Sequence, residues 1–297
     1  MPHFKDFVPQ GVIPANLLAF HEDFSINEKE TRRHLSFVAA TDGITAITIN
    51  GHASEVHACS FEDQQRLLAM AGDEIGDRMP LIGGIYADGS LEAAKLAKMH
   101  ERGGASALLC FPPNSFGMGG IQRRPEMAFA HLQTIAAATD LPLIIFQYSN
   151  ELAYDLDILV KLSEIIPSIC AVKDWSPAQR HERNIRVLQN LSRPINVLTT
   201  NSAWLMSALS MGAKGLLSGA GSVIADRDTT FRLPEVSMGL VPGAGGTVSL
   251  PRRIGRHRTG WLALTGATVD APTALAWGVV DELSTVAPAP PGPITPG

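Results

Sequence analysis

The chain has 297 residues, 45% of them hydrophobic and 18% charged, with a formal net charge of −5. This length suits one large α/β domain or two ordinary ones, and the mild acidity argues against nucleic acid or an anionic membrane as partner. No apolar run approaches the roughly 18–20 residues of a membrane span, and the opening Met1-Pro-His-Phe-Lys-Asp6 lacks the basic-then-apolar order of a secretory leader.

From residue 11 to about residue 224, short apolar runs alternate with amphipathic helical patterns. The runs are Gly11–Leu18, Ile44–Ile49, Leu81–Tyr86, Ala107–Phe111, Leu143–Tyr148, Ile169–Lys173, Ile195–Thr199 and Gly215–Gly219. Helical spacing is found in Ile26–Ala40, Phe61–Ile75, Leu91–Arg102, Glu126–Ala138, Leu156–Ile166, Pro177–Leu191 and Ala203–Met211. Short strands that are apolar nearly throughout belong in a parallel sheet covered on both faces. Their regular alternation with helices predicts a (β/α)8 TIM barrel. An open doubly wound sheet would place a glycine-rich phosphate turn after its first strand, where this chain has Pro14-Ala-Asn-Leu-Leu18. Cys59, Cys110 and Cys170 have no motif spacing and two lie in apolar runs, so buried reduced thiols and a cytoplasmic location are expected.

The pattern breaks after the eighth run. Seven helices are apparent, the eighth is not, and no lysine follows Lys214. Helical spacing resumes in Val248–Ile254 and Arg258–Leu264, beyond the loop Gly243-Ala-Gly-Gly246, and Val286–Gly297 is mostly proline, alanine and glycine. The expected organisation is a barrel over 1–225 without its eighth helix, a joined segment over 226–284 and a disordered tail over 285–297.

In a (β/α)8 barrel, chemistry sits at the C-terminal ends of the strands. His52, Ser54 and Glu55 fall there, with Phe146, Tyr148, Lys173, Thr199, Thr200, Asn201 and Ser218. Lys173 is the one cation inside a strand. Alternation puts Ile169, Ala171 and Lys173 on one face, and Ser176-Pro177 reads as a helix N-cap with proline at the first helical position. Such a lysine either snorkels to solvent, pairs with Glu55 or Asp174, or is a desolvated amine able to attack a ketone carbonyl.

Residues 9 to about 225 resemble the dihydrodipicolinate synthase / N-acetylneuraminate lyase superfamily. The resemblance lies in Gly11-Val-Ile-Pro-Ala15, Ile49-Asn-Gly-His-Ala-Ser-Glu55, Asp140-Leu-Pro-Leu-Ile-Ile-Phe146, Ala171-Val-Lys-Asp174 and Met211-Gly-Ala-Lys-Gly-Leu-Leu-Ser218, in the family's order. It implies a Schiff-base (class I) lyase, an aldolase or dehydratase of pyruvate-type 2-keto acids. Lys173 would be the imine-forming residue, the enzyme would need no metal or organic cofactor, and an intact barrel would form a homo-oligomer. Substrate contacts are implied at Gly51, His52, Ala53, Ser54, Phe146 and Leu217. The family's two threonines fall on His52 and Ala53, and its tyrosine falls on Phe146, so Tyr148 and His52 become the candidate acid/bases. The family's arginine for a second carboxylate falls on Glu151, which argues against dihydrodipicolinate synthesis and toward a sugar-acid or aromatic keto-acid substrate.

Residues 226–284 resemble a second family, the crotonase (enoyl-CoA hydratase/isomerase) superfamily. The matching pieces are Phe231-Arg-Leu-Pro-Glu235-Val236, Gly239-Leu-Val-Pro-Gly-Ala-Gly-Gly246, Leu264-Thr-Gly266 and Ala274-Leu-Ala-Trp-Gly-Val-Val-Asp-Glu-Leu283. The glutamate acting in hydratases falls on Glu235, but the strands that would supply its oxyanion donors are missing, so Glu235 is expected to be inactive. The alternatives to a lyase are an acyl-CoA hydratase/isomerase and a non-catalytic, chimeric barrel.

Overall fold

Eight of the apolar runs form one sheet of parallel strands in a computed structural model. It describes residues 4, 6–118, 124–148, 152–201, 205–219, 224–225, 228–233, 236–237, 246–280 and 282–283. The strands are β1 (Gly11–Pro14), β2 (Ile47–Ile49), β3 (Leu81–Ile85), β4 (Ala107–Cys110), β5 (Leu143–Gln147), β6 (Ile169–Asp174), β7 (Asn196–Thr199) and β8 (Gly215–Ser218). From β2 to β8 each strand pairs with its sequence neighbours, and β1 pairs with β8. Between β1 and β2 the ladder shrinks to two parallel bridges, Val12 to Ile44 and Ala15 to Thr48. The result is a nearly closed (β/α)8 barrel, as the sequence predicts.

Seven helices wrap the barrel: α1 (Glu28–Ala39), α2 (Phe61–Ile75), α3 (Ser90–Arg102), α4 (Pro125–Ala136), α5 (Leu156–Ile165), α6 (Ala178–Leu188) and α7 (Leu205–Ser210). Local chemistry fixes their starts. Asn27 caps α1 by accepting from the Glu30 N–H, and Ser60 with Asp63 forms a reciprocal capping box on α2. Outward side chains of the strands and inward faces of the helices share one large core that includes Leu35, Ile47, Leu68, Leu108, Ile145 and Val197. A second, smaller core fills the barrel lumen with Ile13, Ile82, Leu109, Ile144, Ala171 and Leu217. The eighth helix is absent among the described residues, and Val12 on the outward face of β1 is 43% exposed.

Two corrections concern the β6 stretch. Leu143 pairs with Ile169 while the next residue, Ile144, pairs with Ala171, so Cys170 is an extra residue in the ladder. Ile169 therefore faces the helical layer, whereas Ala171 faces the lumen. The three residues expected on one face do not share it. Nor does Ser176 cap α6. Pro177 holds the N-cap position without a side-chain bond, and the Ser176 N–H donates to Asp174 Oδ1 at 2.8 Å.

The centre of β3 carries no side chains, for a steric reason. A methyl group on Gly83 would meet the His100 ring at 2.3 Å, and one on Gly84 would meet the Asn50 carbonyl oxygen at 2.0 Å. His100 fills the space beside Gly83 and lies 3.1 Å through Nε2 from the Gly84 oxygen.

The chain divides into two compact units, Met1–Ala220 and Gly221–Gly297. The second has its own small core of Ile254, Leu262, Val269, Ala274 and Val280. Its elements are β9 (Ile224–Ala225), β10 (Thr230–Phe231), α8 (Gly246–Thr265), β11 (Val269–Asp270), α9 (Ala271–Trp277) and β12 (Glu282–Leu283). The two helical stretches expected there are joined in α8 across a non-helical Gly255 with φ +81°. β10 pairs antiparallel with β11, and β12 pairs parallel with β9. No helix among the described residues is long and apolar enough to cross a membrane.

Burial pushes His100 and His131 down from 6.5 to about 4. A histidine held neutral in the fold but free to charge when unfolded contributes stability above the unfolded value and loses it as pH falls toward the folded one. The melting temperature is therefore expected to fall as pH drops from 6.5 to 4. His100→Gln should flatten part of that fall, measured by calorimetry across the same range.

Candidate active site

The lumen ends in a ring of side chains at the C-terminal strand ends, and Lys173 of β6 lies beneath it. Because Cys170 is inserted, the alternation along β6 is reset and Lys173 points inward with Ala171. Its side chain is 7% exposed, and Nζ sits 3.9 Å over the centre of the Phe146 ring. No ion pair or hydrogen bond is made by Nζ among the described residues. Burial drives its pKa from 10.5 down to about 7, so a large share of the amine is neutral at neutral pH. The sequence offered Asp174 and Glu55 as partners, but Asp174 points the other way, as the next residue of a strand must. Asp174 Oδ2 accepts from His181 Nδ1 and Asn184 Nδ2, each at 2.8 Å. Burial opposes ionisation of Asp174, yet these bonds and the Ser176 N–H outweigh it and hold the carboxyl below its usual range. Glu55 is exposed, in left-handed backbone with φ +54°.

His52 and Tyr148 meet across the mouth, with the phenol oxygen 2.9 Å from Nε2 and 3.4 Å from Nδ1. Partial burial, then the positive charge of Lys173, and then His57, push His52 down to about 4. Burial pushes the Tyr148 phenol well above its ordinary value. Both groups are thus neutral at neutral pH, and one proton can be handed along their shared bond.

The turn Gly51–Ser54 begins buried and tightens into a 3-10 helix at His52–Ser54. Ser54 Oγ donates within the protein, 2.9 Å from the Asn16 carbonyl and 2.8 Å from its Oδ1, and so braces the turn. The N–H groups of Ser54, Glu55 and Val56 bond back to Gly51 or His52, and those of His52 and Ala53 have no such bond among the described residues. Leu217 lies wholly inside the lumen, in register with Ile13. Thr199 is buried and accepts from the Asn201 N–H, and Ser218 donates to the Thr200 carbonyl. Beside these hydroxyls the mouth is lined by aromatic rings.

Three of those rings were not singled out from the sequence. Phe111 lies 4.7 Å from His52 and 5.3 Å from Phe146, centre to centre. Tyr86 stands edge-on to Phe111 at 5.6 Å, and Trp175 edge-on to Tyr148 at 5.9 Å. The signal was available, since Tyr86 and Phe111 end the third and fourth apolar runs and Trp175 follows Asp174. Glu151 and Glu235 lie outside the described residues. Among the described residues no cluster of three or more His, Cys, Asp or Glu side chains forms a metal site.

Residues 8–232 match the model of the dihydrodipicolinate synthetase family. The chain belongs to that family. Its curated relatives include a 4-hydroxy-tetrahydrodipicolinate synthase of Methanothermobacter thermautotrophicus, 26% identical over 72% of this chain and 75% of the relative. Another of that name, from an Azoarcus species, is 30% identical over 55% of this chain and 54% of the relative. Solved family folds superpose well. Dihydrodipicolinate synthase from Aquifex aeolicus gives a TM-score of 0.63 at 22% identity, covering 71% of this chain and 70% of that one. A prophage protein of the family from E. coli K12, in complex with pyruvate, gives 0.65 at 17% identity, covering 70% of this chain and 69% of that one. Residues 208–288 also match the enoyl-CoA hydratase/isomerase model, overlapping the end of the family barrel.

Trace acetylation of the amine at Lys173, followed by peptide mass spectrometry, should show a midpoint near pH 7. Phe146→Leu removes the ring that favours the charged ammonium and should lower the midpoint further. A midpoint at the ordinary lysine value of 10.5 would mean that the amine is solvated.

Proposed function

We propose that the chain is a lyase that binds a pyruvate-type 2-keto acid as a Schiff base on Lys173. The observation that carries this reading is the buried amine at the strand end, unpaired among the described residues and largely neutralised by burial at working pH. The neutral Nζ attacks the substrate C2 carbonyl and forms a carbinolamine. The hydroxyl leaves as water with a proton from the Tyr148–His52 pair, giving the iminium ion. The iminium then accepts the electrons of a C3–H or C3–C4 bond and becomes an enamine. The enamine left by C3–H loss can expel a C4 hydroxyl, which departs as water with a proton from the Tyr148–His52 pair. Hydrolysis by water returns the product ketone and the free amine.

The substrate carboxylate is assigned to the turn at Gly51–Ser54, where the His52 and Ala53 N–H groups are the donors left over. With a backbone cradle in place of threonine hydroxyls, orientation rests on the turn, which Ser54 braces through Asn16. Phe146 cannot transfer a proton. Its ring lies under the amine, so the proton-handling role moves two residues on, to Tyr148 just after β5. The residue at the arginine position of the lysine-biosynthetic enzymes is Glu151, which favours an aldolase or dehydratase over dihydrodipicolinate synthesis.

Borohydride reduction in the presence of pyruvate should leave a stable adduct on Lys173, detected by peptide mass spectrometry and lost in Lys173→Ala. A folded protein that gives no adduct would falsify the proposal. Exchange of the pyruvate methyl protons in D2O reports the enamine without a second substrate. Tyr148→Phe should keep the adduct but slow that exchange by about 10²–10⁴-fold, the usual range for losing a positioned acid/base.

A further inference from the structure

The lysine accounts for one end of the substrate, and the mouth above it is unusually rich in rings. His52, Tyr86, Phe111, Phe146, Tyr148 and Trp175 form a connected set of ring contacts, with centres 4.4–6.0 Å apart. Phe111 and Phe146 are buried and form the floor beside Lys173. Tyr86, Tyr148 and Trp175 stand above them at the open end. Trp175 is 45% exposed although it is the largest side chain on the β6–α6 connection. Its N–H is fixed to the Gln147 carbonyl at 2.9 Å, so the backbone holds the ring at the mouth.

The polar groups there are already engaged with one another. His52 is bound to Tyr148, Tyr86 accepts from Asn114, Ser54 donates to Asn16, and Ser218 donates to the Thr200 carbonyl. Asn114 is anchored in turn through its N–H to Asp88 Oδ1 at 2.6 Å. Lys173 is the only Lys or Arg among the described residues at the strand ends. Among the described residues at the strand ends, a polyhydroxylated substrate would find few side-chain groups not already paired, and a second carboxylate would find no guanidinium. A flat apolar ring needs neither, and its edge-on or offset approach suits the quadrupoles of Tyr86, Tyr148 and Trp175.

We propose that the second half of the substrate is an aromatic ring, so that the enzyme interconverts a 4-aryl-4-hydroxy-2-oxo acid with pyruvate and an aromatic aldehyde. This rests on the Schiff-base reading of Lys173. In the cleavage direction the iminium forms at C2 and the C4 hydroxyl loses its proton to the Tyr148–His52 pair. The C3–C4 bond breaks, its electrons neutralise the iminium as an enamine, and the aromatic aldehyde departs. C3 then takes up a proton and water releases pyruvate from Lys173. In the synthetic direction the enamine C3 bonds to the aldehyde carbon and the aldehyde oxygen takes the proton. No oxidant, metal or carrier enters the balance.

The test uses the full chain with pyruvate and either benzaldehyde or glyceraldehyde, following the condensation products by chromatography and mass spectrometry. Benzaldehyde is expected to give a kcat/KM at least about tenfold above that for glyceraldehyde, within the range that pocket complementarity supplies. Trp175→Ala should raise the KM for benzaldehyde by a similar factor and Trp175→Phe should restore it. The borohydride adduct with pyruvate alone is recorded on each protein. If that adduct forms but glyceraldehyde is preferred, neither aldehyde reacts, or Trp175→Ala leaves the KM unchanged, the aromatic assignment fails and the Schiff-base reading stands. If no adduct forms at Lys173, the Schiff-base reading fails and the assignment falls with it.

Discussion

The site depends on one inserted residue in a strand. Ile169 faces the helices, so strict alternation would turn Lys173 outward as well, into the layer where α5 and α6 pack. Cys170 breaks the count, and from Ala171 onward the faces of β6 are exchanged. Asp174 consequently points outward, where His181 and Asn184 satisfy it, and Lys173 points into the lumen, where no carboxylate among the described residues meets it. A buried carboxylate and a buried amine at adjacent positions would ordinarily quench one another. Strand alternation puts the sheet between them, the bulge decides which of the two faces the lumen, and each keeps the charge state that its own surroundings dictate.

Lys173 is flanked by Phe146 on β5 and Leu198 on β7, and this apolar setting shapes the electrostatics of the mouth. The Phe146 ring favours the ammonium modestly, whereas loss of water disfavours it more, and the balance falls near neutrality. The same loss of water keeps His52 unprotonated and Tyr148 un-ionised. Protonating His52 near the ammonium would bring two positive charges together at the mouth, so the charge on Lys173 lowers His52 further. Lys173 and His52 form a linked pair, in which a positive charge on one raises the cost of a positive charge on the other.

Much of the fold was legible in the sequence because a closed parallel barrel imposes a repeating pattern that local reading detects. Helix α2 appears with its ends where the spacing puts them, and the other helices shift by a few residues because caps and prolines fix the last turn. The orientation of β6 was not legible, since a bulge is set by pairing with β5 and leaves no local trace. Ser54 looked like a hydroxyl at the mouth. Only the fold shows Asn16, 38 residues earlier, accepting its proton. Likewise His52 and Tyr148 are separated by 96 residues, and no periodicity states that they touch. Trp175 carries no local mark either, since only the pairing of β5 with β6 brings its ring to Tyr148.

The bare centre of β3 carries a further implication. Gly83 gives its space to a histidine of α3, and Gly84 gives its space to the carbonyl just before the turn that carries His52. One strand thus serves as a shared wall with a tenant on each side, and neither tenant can be replaced by a methyl on the wall itself. The outer helix layer and the mouth therefore constrain the same two codons in opposite directions. Most of a barrel drifts freely by exchanging one aliphatic side chain for another, but this dipeptide has no neighbouring sequence to drift to.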